Sequence, residues 1–434
     1  MSAALRSFEA QWRARQADAL QPIREQAMQR FLKLGLPTLR DETWRYTDLR
    51  SIAAQNFEAA GCEARGELDL SASLSLVDAD QHAKTLIMLN GCLPVNIADT
   101  VINGIEINSI SSLYKLNPKS WARFFPDASD ADQQRWVLLN TALFDDGLYL
   151  KITGQAAAPL VILHVSTAER AHEAAHPRII IDAAPGSRAT IIEHHVAHGD
   201  IAPLNNSNTH IVLARDAQLE HYRVYATGAG ATHLDALDIH QARGSQCRQF
   251  TIALGGGLVR SSLEAHLNEP EASLDSYSLL AGHADRHVDC VNIVTHAAPD
   301  TRSRQTARAI ASDSSRVIFN SKVIVNAGAV HANSQQSCRG LLLSPSAEID
   351  TRPQLEIHAD EVKCAHGATT GRLDPDMLFY LLSRGLDRET AQSLLVFAFL
   401  ADVLTGMSVT SARSAIENAL ISQLPDSQIL RKFR

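Results

Sequence analysis

The sequence predicts a mainly β protein with helices at both ends, and three observations lead there. Short apolar runs bounded by turn residues fill the middle of the chain, as in Leu86-Ile87-Met88-Leu89 before Asn90-Gly91. Turn clusters recur at Pro185-Gly186-Ser187, Arg215-Asp216-Ala217, Arg243-Gly244-Ser245, Glu269-Pro270-Glu271 and Pro299-Asp300, roughly 26 to 30 residues apart. Strong helical periodicity marks both termini. Strand, turn and strand repeating without intervening helices suits a β-solenoid, whose coils bury their inward side chains only against neighbouring coils. A β-sandwich gives similar punctuation. Small residues at the turns and an aromatic content of only 5% tilt the reading toward a parallel β-helix.

The elements follow in order. Residues 1–85 form an N-terminal helical region, with Leu5, Phe8, Trp12, Leu20, Ile23, Met28, Phe31 and Leu32 at helical spacings. Gly35-Leu36-Pro37-Thr38 stops that pattern, and Trp44 and Tyr46 mark a docking turn, with a packed core aromatic as the alternative for Trp44. Residues 86–145 form a mixed connecting region, helical or irregular over 120–140. Residues 146–370 form the β core, with alternating stretches such as Ala189-Thr190-Ile191-Ile192-Glu193-His194. From Asp313-Ser314 through Ala327-Gly328, Ser344-Pro345 and Asp360-Glu361 the punctuation tightens to roughly half its earlier interval. Residues 371–434 form a C-terminal helical domain. Asp374 caps a helix with Pro375 at its first position, Gly385 stops it, and Asp387 caps the next. The helix over 393–404 is apolar around so much of its circumference that the β domain or a partner must cover it. A last helix is expected near 411–424, before the basic end Arg431-Lys432-Phe433-Arg434.

Composition narrows function. A net charge of -8 without a long basic block argues against nucleic acid. No apolar run approaches the roughly 18 residues of a membrane span, and residues 1–21 lack a signal-peptide core, so the cytoplasm is the expected compartment. Six scattered cysteines, Cys62, Cys92, Cys247, Cys290, Cys338 and Cys364, have no close pairs, and reduced thiols are expected. Gly255-Gly256-Gly257 is followed by Leu258-Val259-Arg260, which excludes a P-loop, and hydrolase motifs are missing from the sequence. No enzymatic activity is expected. His194, His195 and His198 crowd one stretch, but adjacent strand residues face opposite ways, so at most two could converge on a metal.

Cys364 and His366 lie two apart, so on a strand both project from one face, within reach of a common metal or sulfur species. Thiolate suits iron, and imidazole can replace it. The structural alternative is a buried thiol beside a hydrogen-bonded imidazole. The segment Asp360-Glu361-Val362-Lys363-Cys364-Ala365-His366-Gly367-Ala368-Thr369, with Leu378-Phe379-Tyr380-Leu381 and Ser383-Arg384-Gly385-Leu386, resembles the SufD family of the bacterial iron–sulfur cluster assembly machinery. Gly35-Leu36-Pro37-Thr38 and Trp44-Arg45-Tyr46-Thr47 are similar to the N-terminal part of such proteins, and Ala142-Leu143-Phe144-Asp145-Asp146-Gly147-Leu148 resembles the lead into their strand domain.

The resemblance implies a right-handed parallel β-helix core, and a scaffold subunit of the SUF complex that pairs with a SufB-like subunit. It also implies a SufC-like ABC ATPase received through the C-terminal helices, for which Leu394, Phe397, Phe399 and Leu400 are candidate contact residues. His366 would sit at the cluster-assembly interface as a metal ligand shared with the partner, with Cys364 as its accompaniment. No cofactor would be held permanently; a transient iron–sulfur cluster would form at the interface, and flavin binding by the assembled complex stays open. Alone, the chain could form a homodimer. SufB-type chains carry an N-terminal Cys-x-x-Cys motif, a late β-helix Cys and His-Glu-Ala-Thr. Here Cys62 and Cys92 stand apart, Ser344-Pro345-Ser346-Ala347 occupies the late position, and His366-Gly367-Ala368-Thr369 replaces the last motif. Two readings compete: a self-associating structural β-solenoid without a metal role, and a carbohydrate-active β-helix enzyme. The second would need acid clusters and exposed aromatics along a groove.

Overall fold

The computed structural model describes residues 1–62, 84–93, 100–125, 135–167, 172–197 and 202–423. Its centre is a parallel β-solenoid of about seven turns. One sheet runs from the hairpin Thr100–Ile102 and Ile105–Ser109 through Leu148–Ile152, Arg178–Ala183, Asn208–Leu213, Thr232–Gln241, Leu258–Leu267, His287–His296 and Arg316–Val325 to Glu348–Ile357. The other runs from Lys84–Leu89 through Leu160–Ser166, Arg188–Ala197, Gln218–Tyr225, Gln246–Ala253, Ser273–Gly282, Arg302–Ala311 and Asn333–Leu342 to Lys363–Gly371. From Leu148–Ile152 onward the strands of these two paths alternate between the sheets, so each coil contributes one strand to each. The interior packs Leu, Ile, Val and Ala from both, including Ile162, Ile191, Leu219, Ile239, Leu263 and Val323.

The turn clusters that carried the periodicity share one corner of the solenoid. Gly186, Asp216, Gly244, Glu271, Asp300, His331 and Glu361 all adopt the left-handed conformation. They are linked by backbone bonds such as Gly186 N to Arg215 O and His331 N to Glu361 O. Most of these positions hold Gly or Asp, which tolerate that conformation at low cost. The tighter interval after Asp313 is not a shorter repeat. Asp313-Ser314 and Ser344-Pro345 belong to the opposite corner, where Ser344 Oγ donates to the Asp313 carbonyl at 2.5 Å, so both corners of each late coil carry turn chemistry. Gly255-Gly256-Gly257 marks another close approach: a Cβ at Gly255 or Gly257 would strike the Thr227 or Ala229 carbonyl of the coil beneath.

Helices clothe both outer faces. The helices Ala3–Ala14, Gln21–Leu34 and Arg135–Leu143 pack Phe8, Met28, Phe31, Trp136 and Leu139 together with Trp44 over the early coils. Trp44 is buried beneath the Arg260 guanidinium, 3.8 Å from its ring, and Arg260 also donates to the Thr43 carbonyl at 2.8 Å. Thr47 Oγ1 bonds His287 Nε2 at 2.9 Å and reaches Asp289, which ties this turn to the first sheet. At the other end, Arg388–Leu404 and Thr410–Ser422 lay Val396, Leu400, Val403, Leu404, Ile416 and Leu420 on Tyr222, Phe250, Ile252 and Leu279 of the second sheet. The caps act as expected: Asp374 accepts from the Asp376 and Met377 amides, Asp387 accepts from the Thr390 amide, and Gly385 is left-handed. The last helix ends at Ser422, and the basic terminus lies outside the described residues.

One expectation is corrected. Cys62 and Cys92 are joined in a disulfide across 30 residues, with Cα atoms 5.5 Å apart. Their sequence spacing hides a shared anchor. The Ala60 amide binds the Ala174 carbonyl, the Asn90 amide binds the Val165 carbonyl, and Asn90 Nδ2 donates to Gly61 O at 2.7 Å, which brings both segments to the same early coils. The other four cysteines are free.

Candidate functional site

Cys364 and His366 lie on Lys363–Gly371, the terminal strand of the second sheet. Register places Cys364 beside Ser334, His366 beside Gln336 and Ala368 beside Cys338. Those three neighbours are buried. The alternation of strand residues therefore turns Cys364 and His366 toward the solenoid interior, at the coil where it opens to solvent. His366 is exposed and Cys364 half-buried, packed against the interior apolar cluster. Burial pushes the Cys364 thiol above its ordinary value, with a backbone hydrogen bond at Ser334 pulling the other way. At neutral pH it is a thiol, and ligation of a soft metal would release its proton.

Behind His366 the interior is polar along one column. Each sheet register step carries the column down one coil, through His366, Gln336, Gln305, Ser276, Gln249 and His221, below which Ile191 ends the run of polar residues. Gln336 Nε2 donates to Ser321 Oγ at 2.5 Å, and Ser321 Oγ donates to Gln305 Oε1 at 2.9 Å. Ser276 Oγ donates to Gln249 Oε1 at 3.2 Å. At the foot, the fully buried Glu193 carboxylate is bonded by His164 Nε2 at 3.1 Å, His221 Nε2 at 2.8 Å and Thr209 Oγ1 at 2.8 Å, with Arg223 at 3.6 Å. Burial raises its pKa, but the Arg223 charge and the two imidazole bonds more than reverse this and hold it well below the usual carboxylate range. Nothing in the linear sequence announces this column, because its members fall one per coil.

The crowded histidines separate as alternation requires. His195 faces inward and stacks on His164 with ring centroids 4.3 Å apart, while His194 faces outward and is buried. His198 lies outside the described residues. His195 therefore meets histidines of neighbouring coils rather than His194.

The apolar helix residues also divide. Leu400 is 0% exposed and packs on the second sheet, so it is a core residue of this chain and not a docking residue. Phe399 is partly buried under Arg308, and Leu394 and Phe397 are half-buried. The exposed apolar face lies one helix earlier. Pro375–Ser383 has no buried residue, and Phe379, Tyr380 and Met377 are 70%, 57% and 56% exposed. The sequence signal was the run Met377-Leu378-Phe379-Tyr380-Leu381-Leu382, which helical periodicity alone reads as a core stripe.

The sequence is matched by the models of a known family. The SufBD core domain of SUF-system iron–sulfur cluster assembly matches residues 164–399, and the SufBD protein N-terminal region matches residues 5–159. The chain belongs to the SufBD family. It is 28% identical over 406 residues to the iron–sulfur cluster assembly protein SufD of Escherichia coli, covering 93% of each chain. It is 28% identical to a SufBD family protein of Synechocystis, covering 89% of this chain and 87% of the other, and 22% identical over 414 residues to SufD of Bacillus subtilis. It is an iron–sulfur cluster assembly protein of the SUF system. No helix among the described residues is long and apolar enough to cross a membrane.

Proposed function

We propose that this SufBD protein is a non-catalytic, cytoplasmic scaffold subunit that pairs through the open end of its solenoid with a SufB-like chain. The observation that carries the reading is the terminal coil. Both Glu348–Ile357 and Lys363–Gly371 are edge strands, and they are intermediate to exposed along their length, unlike the buried strands beneath them. Edge strands left with free backbone groups are templates for pairing with another chain. Pairing there would enclose His366 and Cys364 between two subunits, with His366 as the ligand donated to a transient iron–sulfur cluster. A second copy of the chain could occupy the same edge when SufB is absent.

A SufC-like ABC ATPase would bind the C-terminal helices, and the exposed face of Met377, Phe379 and Tyr380 supports that contact better than the covered face of the following helix. Apolar residues held out in solvent by a capped helix are the kind of surface that interfaces bury.

The test is co-expression with SufB and SufC, size-exclusion chromatography, and anaerobic iron and sulfide analysis of wild type against His366→Ala. A three-component complex whose cluster content collapses in the variant is expected. A complex that forms with unchanged iron and sulfide removes His366 from the site, and failure of the complex to form removes the partner assignment.

A further inference from the structure

We propose that the outer face of the first sheet carries a site for a divalent first-row transition metal, separate from the terminal coil, with His210, Asp238 and His240 as ligands and His266 and Glu264 beside them. The proposal does not depend on the partner assignment above.

Two columns of donors build the site. Register places His210 beside Asp238 and Asp238 beside Glu264 in one column, and His240 beside His266 in the next. Three successive coils therefore deliver three imidazoles and two carboxylates to one patch. His210 Nδ1 lies 2.9 Å and His240 Nε2 3.0 Å from the same oxygen, Asp238 Oδ2, and one donor atom from each of the three residues falls within 4.8 Å of the others. His266 Nε2 lies 3.6 Å from Asp238 Oδ1 and 3.5 Å from Glu264 Oε1. Two adjacent ligands of a six-coordinate ion with bonds of about 2.1 Å stand about 3.0 Å apart, so the spacing already matches one edge of such a shell. Mixed imidazole and carboxylate ligation suits iron, cobalt and zinc; three nitrogens are too many for magnesium or calcium, and no thiolate is present to select copper(I).

The surroundings hold the donors in place. His210 is 2% exposed, the Phe124 ring stands edge-on to it at 5.9 Å, and its Nε2 is a buried atom without a hydrogen-bond partner among the described residues. His240 and His266 stack at 4.7 Å and 11°, and His240 Nδ1 lies 3.3 Å from the Asn268 amide, an outer partner of the kind that orients ligating imidazoles. Arg30 and Arg178 border the same cleft, and Arg178 directs its guanidinium to Asn140 Oδ1 and Thr141 Oγ1. A cleft of about 90 Å³ bordered by Arg178, His210, Asp238 and Glu264 gives an ion access. The interior group of His164, Glu193 and His195 lacks these properties: Arg223 at 3.6 Å already neutralises Glu193, and all three residues are fully enclosed.

The test uses the tag-free full chain, stripped with chelator and titrated anaerobically with Co2+, reading visible absorption and metal per chain. The variants are Asp238→Asn, His266→Ala and the double variant Cys364→Ser/His366→Ala, with circular dichroism melts on each. Wild type is expected to retain one Co2+ per chain at this site, Asp238→Asn to bind at least roughly tenfold more weakly, and the double variant to keep the signal. His266 meets the carboxylates only at 3.5 and 3.6 Å and otherwise stacks on His240, so its variant should fold normally and still bind more weakly. The proposal is overturned if wild type retains no Co2+, if both Asp238→Asn and His266→Ala bind as wild type, or if the signal disappears only with Cys364 and His366.

Discussion

Acid should unfold this protein well before its carboxylates titrate, because it buries neutral histidines. Burial pushes His194 and His296 down to about 4 and His176 to about 3, from an ordinary value of 6.5. The packing explains why. Neither nitrogen of His194 has a partner among the described residues. His296 is held neutral between Thr301 Oγ1 and Ser303 Oγ, both at 2.8 Å, and His176 meets only the Asn206 amide at 3.3 Å and the Phe8 ring. In the folded chain these rings stay unprotonated down to their depressed values, whereas in the unfolded chain they take up protons near 6.5. The unfolded state therefore binds more protons below neutrality, and stability falls as pH drops from about 7. At pH 5 each ring contributes about 2 kcal/mol against folding, and three together about 6 kcal/mol, comparable with the whole stability of a typical domain at about 5–15 kcal/mol. His240 opposes the trend: burial lowers its pKa, but the hydrogen bond and charge of Asp238 raise it overall. It is one group against several. Urea unfolding at pH 7, 6 and 5 measures the slope, and His194→Leu removes one titrating ring without creating an unmet polar atom. The midpoint should fall steeply between pH 7 and 5, and less steeply in the variant. A flat profile to pH 5, or a variant with the wild-type slope, would refute the reasoning.

Other outcomes follow from burial and exposure. Phe379→Ala should change thermal stability by less than about 0.5 kcal/mol, because the ring is 70% exposed, yet weaken binding of the proposed SufC-like ATPase by roughly 10- to 100-fold in a titration. Phe250 stacks between Tyr222 and Tyr277 at 4.7 and 4.8 Å under the C-terminal helices, so Phe250→Ala should cost about 3–5 kcal/mol in urea unfolding. Asp387→Ala removes the cap of Arg388–Leu404 and should cost about 1 kcal/mol, visible as a lower melting midpoint.

How much of this was legible in the sequence depends on whether the signal was local. The corner turns were legible because left-handed positions favour Gly and Asp, and four of the seven corner positions, Gly186, Asp216, Gly244 and Asp300, hold them. The helix caps were legible for the same reason: Asp374 and Asp387 act on amides two or three residues away. The shared face of Cys364 and His366 followed from the two-residue period of a strand. The polar column from His221 to His366, the Cys62–Cys92 bond and the His210–Asp238–His240 group were not legible, since each joins residues that only the coiling brings together. Leu400 failed for a related reason. An all-round apolar helix shows that something covers it, not which surface does, and here the chain's own second sheet does so.

The two ends of the first sheet are finished differently, and that asymmetry bears on function. The first sheet begins in an antiparallel hairpin, Thr100–Ile102 with Ile105–Ser109, which pairs antiparallel with Leu148–Ile152 and blunts parallel extension. The last coil of each sheet has strand pairing on one side only, at Glu348–Ile357 and Lys363–Gly371. A solenoid terminus that stays in water normally carries a polar cap. Here the inward positions of the last strand are Cys364, His366, Ala368 and Thr370, small or polar groups where early coils place Leu160, Ile162 and Ile191. Such a surface tolerates solvent while the chain is alone, because it offers little apolar area to hide. It also keeps donors for a metal or a neighbouring strand, which a Leu- or Ile-lined end would not. The composition of the last coil thus fits an end that waits uncovered and is covered by assembly better than one closed by its own fold.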